Sequence, residues 1–357
     1  MSIYHTKNKI NILNFNYLSE NYNSKFKALI VSNNSKYAWA NTINALTKIK
    51  FKKKKIIYPT NKKKLQFSII TRVLLKFRFF FDEFKINKKI LYQLKRDNFD
   101  KIILIQPFNI NYKTLRKIRE TYSKIEIIAI FIDPFLHKNY FTFNLFFALK
   151  FYDKIVYRQP YNEKYLNLLN DKFKIRCFPG SIKINKNLDK KEYIYDVTFV
   201  GTFENDRFKY LKYLSENGIK VTIFGNGWSK IKSNANLIIL NKPIYGHKFF
   251  ETISKSKINM GFLRNDNNDV YNSKTVEILS AGGFMISEYS NNINQVFKNK
   301  KELVFFKKNK SDLLSKVKYY LNNNDKREEI KKNGFNKIKN SSFLYSLQLN
   351  EIINLKL

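Results

Sequence analysis

The segment NSKTVEILSAGG (272–283) gathers residues suited to anion and diol chemistry along one expected helix. Asn272 or Ser273 suits the N-cap, and the backbone N–H groups at that helix start can receive an anion. Lys274 stands in the first turn, where helix stability alone would favour an acid, so a cation there points to a phosphate. Glu277 follows three residues on, along the same side of the helix. A carboxylate accepts two hydrogen bonds from a cis-diol such as that of a ribose. The bland alternative is a Lys274–Glu277 surface pair worth about a few tenths of a kcal/mol.

The glycines narrow the location. All ten lie at or after position 180. A backbone that wraps closely around a diphosphate needs residues without Cβ, since positive φ and close approach are otherwise costly. A dinucleotide fingerprint or phosphate-binding loop in the first 179 residues is therefore excluded, and with it a dehydrogenase whose cofactor sits there. Gly201 and Thr202 lie in FVGTFENDR (199–207), with Arg207 in the first turn of the helix that follows. Gly225, Gly227 and Trp228 lie in FGNGW (224–228), and Gly282 and Gly283 in SAGGF (280–284). Each site alone reads as a strand-end turn or helix cap. Together, at one edge of one sheet, they read as a ligand cradle.

The elements that must position these residues alternate. Apolar runs of four to eight residues alternate with stretches of helical period, which implies an α/β chain with parallel sheets. The first half offers strands near 27–32, 54–59, 101–106, 126–133, 153–158 and 174–179, with helices near 67–81, 86–96, 111–122, 140–150 and 161–170. The second half offers strands near 196–202, 220–225, 236–240, 257–263, 284–289 and 303–306. Its helices fall near 205–216, 246–255, 272–281, 310–322, 324–339 and 342–354. Polar residues 182–195 read as a linker. The expected layout is a domain over 1–185, a second over 186–340, and a C-terminal helix over 341–357 packing back toward the first. Ligands of doubly wound sheets sit beyond the carboxyl ends of strands, so a cleft between two such domains is the expected site.

Composition bounds the rest. The chain has 357 residues, 44% hydrophobic, enough for about two domains. One cysteine, Cys177, excludes a disulfide framework and a Cys-based zinc cluster, and His5, His137 and His247 are scattered. No apolar run reaches the roughly 20 residues that span a bilayer, and the start lacks an apolar signal core. The expected location is cytoplasmic.

The formal charge of +39 suggests nucleic acid or an anionic membrane, but only 10 of the 67 basic residues are arginine, the type that base readout favours. Lysines on solvated faces are the plain reading. Residues 1–80 nevertheless hold 17 Lys or Arg against one acid, Glu20. That half would suit anionic lipid headgroups at the inner face of the cell membrane. Within it, TRVLLKFRFFFDEF (71–84) reads either as a core-packed helix or as part of such a surface.

The second half resembles the CgeB-like, spore-maturation-protein branch of the group 1 glycosyltransferases of the GT-B fold. The likeness runs through 196–214, VTIFGNGW (221–228), 244–262, NSKTVEILSAGGFMISE (272–288) and 318–334, in matching order and spacing. The first half matches more weakly, at 132–134 and 151–166. The resemblance implies two Rossmann-like doubly wound domains and sugar transfer from a nucleotide sugar to an acceptor hydroxyl, without a metal or other cofactor. UDP- and GDP-sugars remain alternatives, as do glycan, lipid-linked and protein acceptors. By position, Glu277 would bind the ribose, and Gly201, Thr202 and Arg207 would lie near the diphosphate. Gly225, Gly227, Trp228 and Tyr245 would line the nucleotide side, and Gly282 and Gly283 would close the turn after the ribose helix. Lys274 replaces the family's usual Arg and loses its bidentate fork. Asp269 stands where relatives carry Glu, and the expected N-terminal Asp pair is a single Asp133. That residue is the candidate general base or acceptor-orienting group, or else a turn cap before Pro134. The rival readings are an inactive transferase-shaped glycan binder and a basic nucleic-acid-binding protein.

Overall fold

The structure, a computed structural model, describes residues 2–6, 9–13, 23–32, 39–58, 68–77, 79, 81–133, 135, 141–158, 166, 173–177, 180, 183–184, 192–264, 272–339 and 343–355. Most of the expected helix 161–170 and of the linker, together with Pro134, His137 and Asp269, lie outside these residues. Two units form: residues 1–178 with 344–357, and residues 179–343.

In the N-terminal unit, KIILI, EIIAIF and KIVY are buried nearly throughout because helices cover both faces of their sheet. The strands are β1 (Ser2–Thr6), β2 (Lys9–Leu13), β3 (Asn23–Ser32), β4 (Lys50–Ile57), β5 (Lys101–Ile105), β6 (Glu126–Phe131), β7 (Lys154–Tyr157) and β8 (Phe173–Arg176), in the order β2-β1-β8-β7-β6-β5-β3-β4. Successive side chains alternate between two core layers. Leu29, Leu104 and Ala129 face the helices Ile86–Arg96, Tyr112–Thr121 and Phe143–Ala148, whereas Ile30, Ile103 and Ile128 share a layer with Leu46, Leu349 and Ile353.

The C-terminal helix Tyr345–Asn354 thus belongs to the first unit's core. Lys154, wholly buried, fixes its end by donating to the carbonyls of Ile352 (3.2 Å) and Leu355 (2.6 Å). A cation there suits the negative end of the helix dipole.

Three features differ from the periodicity-based reading. β1 pairs antiparallel with both β2 and β8, so this sheet is not wholly parallel. Its sequence source is a pair of short alternating runs, SIYHT and KINIL. The helix Trp39–Lys48 joins β3 to its parallel neighbour β4, and its sequence WANTINALTK hides it behind Asn and Thr, weak helix formers. The third is the short helix Asn291–Val296.

The C-terminal unit holds an all-parallel sheet. Its strands are β9 (Tyr195–Val200), β10 (Val221–Phe224), β11 (Leu237–Ile239), β12 (Ser256–Gly261), β13 (Met285–Glu288) and β14 (Val304–Phe306), in the order β11-β10-β9-β12-β13-β14. The α/β, doubly wound architecture holds in both units.

Candidate functional site

The strand order of the C-terminal unit fixes where a ligand would sit. β9 leads through the helix Asn205–Glu216 to β10 on one side, and β12 leads through the helix Ser273–Ser280 to β13 on the other. Right-handed crossovers running in opposite directions put those helices on opposite faces of the sheet, which opens a crevice between the carboxyl ends of β9 and β12.

Charged side chains gather there. Glu204, just past β9, pairs with Arg207 (3.3 Å) and with Arg264 beyond β12 (3.3 Å). Arg207 is buried, donates to the Thr202 carbonyl at 3.3 Å and lies against the Phe199 ring. A cavity of about 230 Å³ opens alongside, lined among others by Arg207, Lys209, Phe262, Glu288, Lys308 and Lys310. Glu288, at the end of β13, accepts from the Leu263 N–H at 3.0 Å and pairs with Lys308 at 3.1 Å. Burial, and then the Glu288 charge, push the Tyr210 phenol of the same wall above its ordinary pKa, so it stays a neutral hydrogen-bond donor near neutral pH.

On the other face, Asn272 caps the helix Ser273–Ser280 by accepting from the Thr275 N–H (3.3 Å), while its amide donates to the Phe262 carbonyl (2.9 Å). Phe262 therefore connects the two groups, since its ring lines the basic cavity. Glu277 is only 7% exposed, and the Lys274 ammonium meets it at 2.7 Å while lying 4.2 Å from the centre of the Phe249 ring. A carboxylate so buried is not a surface pair. Lys274 is turned onto Glu277 and Phe249, so it orients the carboxylate in addition to any charge it offers at the helix mouth.

Several glycines answer to packing. A Cβ on Gly225 would lie 1.8 Å from the Gly201 carbonyl oxygen, and that same oxygen accepts from the Trp228 indole at 2.9 Å. Trp228 is wholly buried among Phe199, Phe203 and Phe208. The expected place of its side chain on a ligand-facing wall is corrected: the indole joins the core because three phenyl rings enclose it. Gly282 (φ +75) and Gly283 donate to the carbonyls of Leu279 and Ile278, the paired bonds of a Schellman cap. Thr202, Gly227 and Tyr245 are exposed. Tyr245 begins the helix Gly246–Ser254, which follows the edge strand β11.

A family model described as "Glycosyl transferase-like" matches residues 207–354. No curated protein matches the chain. Among solved structures, a sucrose-phosphate synthase from Thermosynechococcus elongatus is similar with a TM-score of 0.63 at 9% identity, over 92% of this chain and 98% of that one. Anabaena HepE in complex with UDP-glucose has a TM-score of 0.62 at 8% identity, over 92% and 99%. A Listeria monocytogenes protein assigned as a UDP-N-acetylglucosamine 2-epimerase has a TM-score of 0.53 at 10% identity, over 93% and 97%. The fold is GT-B.

Asp133 lies in the N-terminal unit, two residues past β6. Its carboxylate accepts from the Gln106 amide at 2.7 Å, while the Gln106 carbonyl accepts from the Ile132 N–H at 3.0 Å. Gln106 adopts a left-handed backbone (φ 47), and its side chain holds the turn that presents Asp133. Sequence reasoning overlooked Glu204, Arg264, Glu288, Lys308 and Lys310. Their common signal is position at or just beyond a strand's carboxyl end, which the runs FVGT, NMGFL, MISE and LVFF marked. Among the described residues, no three His, Cys, Asp or Glu side chains converge on one point.

Proposed function

We propose that this protein is a glycosyltransferase that moves a sugar from a nucleoside-diphosphate sugar to an acceptor hydroxyl, as a member of the CgeB-like group. One observation carries the reading. A buried carboxylate, Glu277, stands one turn into the helix that begins beside the switch point of the C-terminal sheet, and a basic recess opens on the sheet's other face. The glycosyl transferase-like match over 207–354 and the UDP-glucose bound by HepE support it.

In this reading Glu277 accepts from the two ribose hydroxyls, with Lys274 holding its orientation. Arg207, with Lys209, Lys308 and Lys310, stabilises the diphosphate as its bond to the anomeric carbon breaks and the electron pair departs with it. These side chains do so without a metal or other cofactor. The N-terminal unit receives the acceptor, a glycan, lipid-linked or protein hydroxyl. Asp133, steadied by Gln106, orients that hydroxyl or takes its proton. The chemistry belongs on the cytoplasmic side, where sugar nucleotides are made.

Titration calorimetry with UDP- and GDP-sugars tests the core of this. Glu277→Gln keeps the shape and one acceptor oxygen, so donor affinity should fall about tenfold, or about 1.4 kcal/mol, with thermal melting little changed. Unchanged donor affinity would remove the ribose assignment. Turnover scored both for nucleotide release and for an altered sugar separates transfer from epimerisation.

A further inference from the structure

The helix Ile69–Lys76 and the segment after it carry their apolar side chains outward. Ile69, Ile70, Val73, Phe77, Phe79 and Phe81 are all exposed, Ile69 at 71%, whereas Thr71 is buried and Leu74 half-buried. A soluble helix buries its apolar stripe and shows water its polar one. Among the described residues Val73, Phe77, Phe79 and Phe81 run against that pattern, so the surface reading of 71–84 fits them and the core-packed one does not.

A second exposed aromatic group belongs to the same edge of the N-terminal sheet. Phe143, Phe146 and Phe147 are exposed on the helix Phe143–Ala148. Side-chain amides connect the two groups. Asp82 accepts from Asn87, Asn87 accepts from the Asn111 N–H (2.8 Å), and the next N–H, of Tyr112, donates to Asn144 (2.9 Å). The acids of the patch are turned to the backbone: Asp82 accepts from the N–H groups of Ile86 and Asn87, and Glu83 from that of Ser68. Both carboxylates are half-buried.

We infer that this aromatic face docks the protein on an anionic lipid bilayer, with the Phe and Ile side chains entering the headgroup boundary. The occupant is argued from charge. Residues 1–80 hold 17 Lys or Arg against one acid, and on the outermost strand β4 residues Lys50, Lys52, Lys53, Lys54 and Lys55 are exposed. Each lysine held near an anionic membrane adds to the attraction, and apolar insertion adds to that. Among the described residues no helix is long and apolar enough to cross a membrane, so the contact is with its surface. The inference stands apart from the sugar-transfer reading, and its test contains no sugar nucleotide.

The test is co-sedimentation of the full chain with vesicles of phosphatidylcholine alone and of equal parts phosphatidylcholine and phosphatidylglycerol. The parent should pellet with the anionic vesicles and largely stay in solution with the neutral ones. The triple variant Phe77→Ser, Phe79→Ser, Phe81→Ser removes exposed side chains, so it should melt like the parent and lose about tenfold or more in anionic-vesicle binding. Lys52→Glu with Lys55→Glu should weaken binding most at low salt. Equal pelleting with both vesicles, undiminished binding of the triple variant, or no binding by the parent would each overturn the inference. So would a lipid-free dimer that the triple variant abolishes, since the face would then belong to a second copy.

Discussion

After β5 the N-terminal unit turns its chain through Gln106, a left-handed residue whose own amide bonds Ile132 and Asp133 on both sides. After β9 the C-terminal unit turns its chain through Gly201, whose carbonyl leaves no room for a side chain on Gly225 and whose own Cβ would meet the Phe199 ring at 2.5 Å. The first unit repeats its device. Asn87 and Asn144 also spend their amides on neighbouring strand-end backbone, donating to the carbonyls of Asn109 (3.1 Å) and Ile110 (2.7 Å). One unit makes its corners from side-chain amides, the other from bare backbone. The absence of glycine from the first 179 residues thus reflects how corners are made there as well as where a diphosphate can lie. Only the glycine corners with exposed backbone, at Thr202 and Gly227, still speak for a ligand.

The most damaging way to break this comparison is Gly225→Ala. Its Cβ would meet a backbone oxygen at 1.8 Å, and that oxygen also holds the Trp228 indole. Backbone on both sides leaves no flexible atom to yield, so the C-terminal unit should lose about 3 kcal/mol or more. Urea melts read by Trp228 fluorescence, in a Trp39→Phe background, would show it. A variant that melts like its parent would mean the two loops can part, and that the glycine pair serves something other than packing.

Asn87→Ala probes the amide corners. It removes bonds to Asp82 (2.8 Å), to the Asn109 carbonyl and from the Asn111 N–H, in a side chain that is largely buried. Lost bonds that strand buried partners cost about 1–3 kcal/mol, so roughly 2 kcal/mol is expected, confined to the N-terminal unit. Faster hydrogen exchange at Asn111 with unchanged exchange in the C-terminal unit is the sign to look for.

These contrasts show what was legible. Long apolar runs such as KIILI and EIIAIF, and the cap at Asn272, placed most elements within a few residues, because burial on both faces and N-cap chemistry are local signals. The hairpin of β1 and β2 and the helix Trp39–Lys48 escaped because partners far along the chain stabilise them. Glu277 was readable, since its spacing from the cap is local. The exposure of Phe77 and the burial of Trp228 were not, because the same residue types serve core and surface alike.

The smallest effect expected separates the units by charge. Each holds a buried lysine against a carboxylate. In the first, Glu126 is bridged by Lys101 and by Lys154, the latter at 2.6 Å. Burial lowers the Lys154 pKa from its ordinary value, and Glu126 only partly offsets it. In the second, Lys331 meets Tyr193 (3.1 Å) and Glu328 (2.9 Å). Burial alone would lower its pKa, but those two partners raise it above the ordinary value. The signs therefore oppose. Lys331 stabilises its unit fully below the unfolded lysine pKa, and that contribution is lost as pH climbs through the raised folded value. Lys154 releases its proton first in the folded state, so the N-terminal unit gains as pH rises from its lowered value toward the unfolded one. Each change should stay near or below about 1 kcal/mol, since in each cluster burial and the lysine's partners act in opposite directions. Urea midpoints compared at mildly and strongly alkaline pH would resolve it, with Trp228 fluorescence for the C-terminal unit and labelling of buried Cys177, after return to a common pH, for the N-terminal one. The C-terminal midpoint should fall relative to Lys331→Met and the N-terminal midpoint rise relative to Lys154→Met. Parallel movement in both would mean that the two clusters hold their lysines alike.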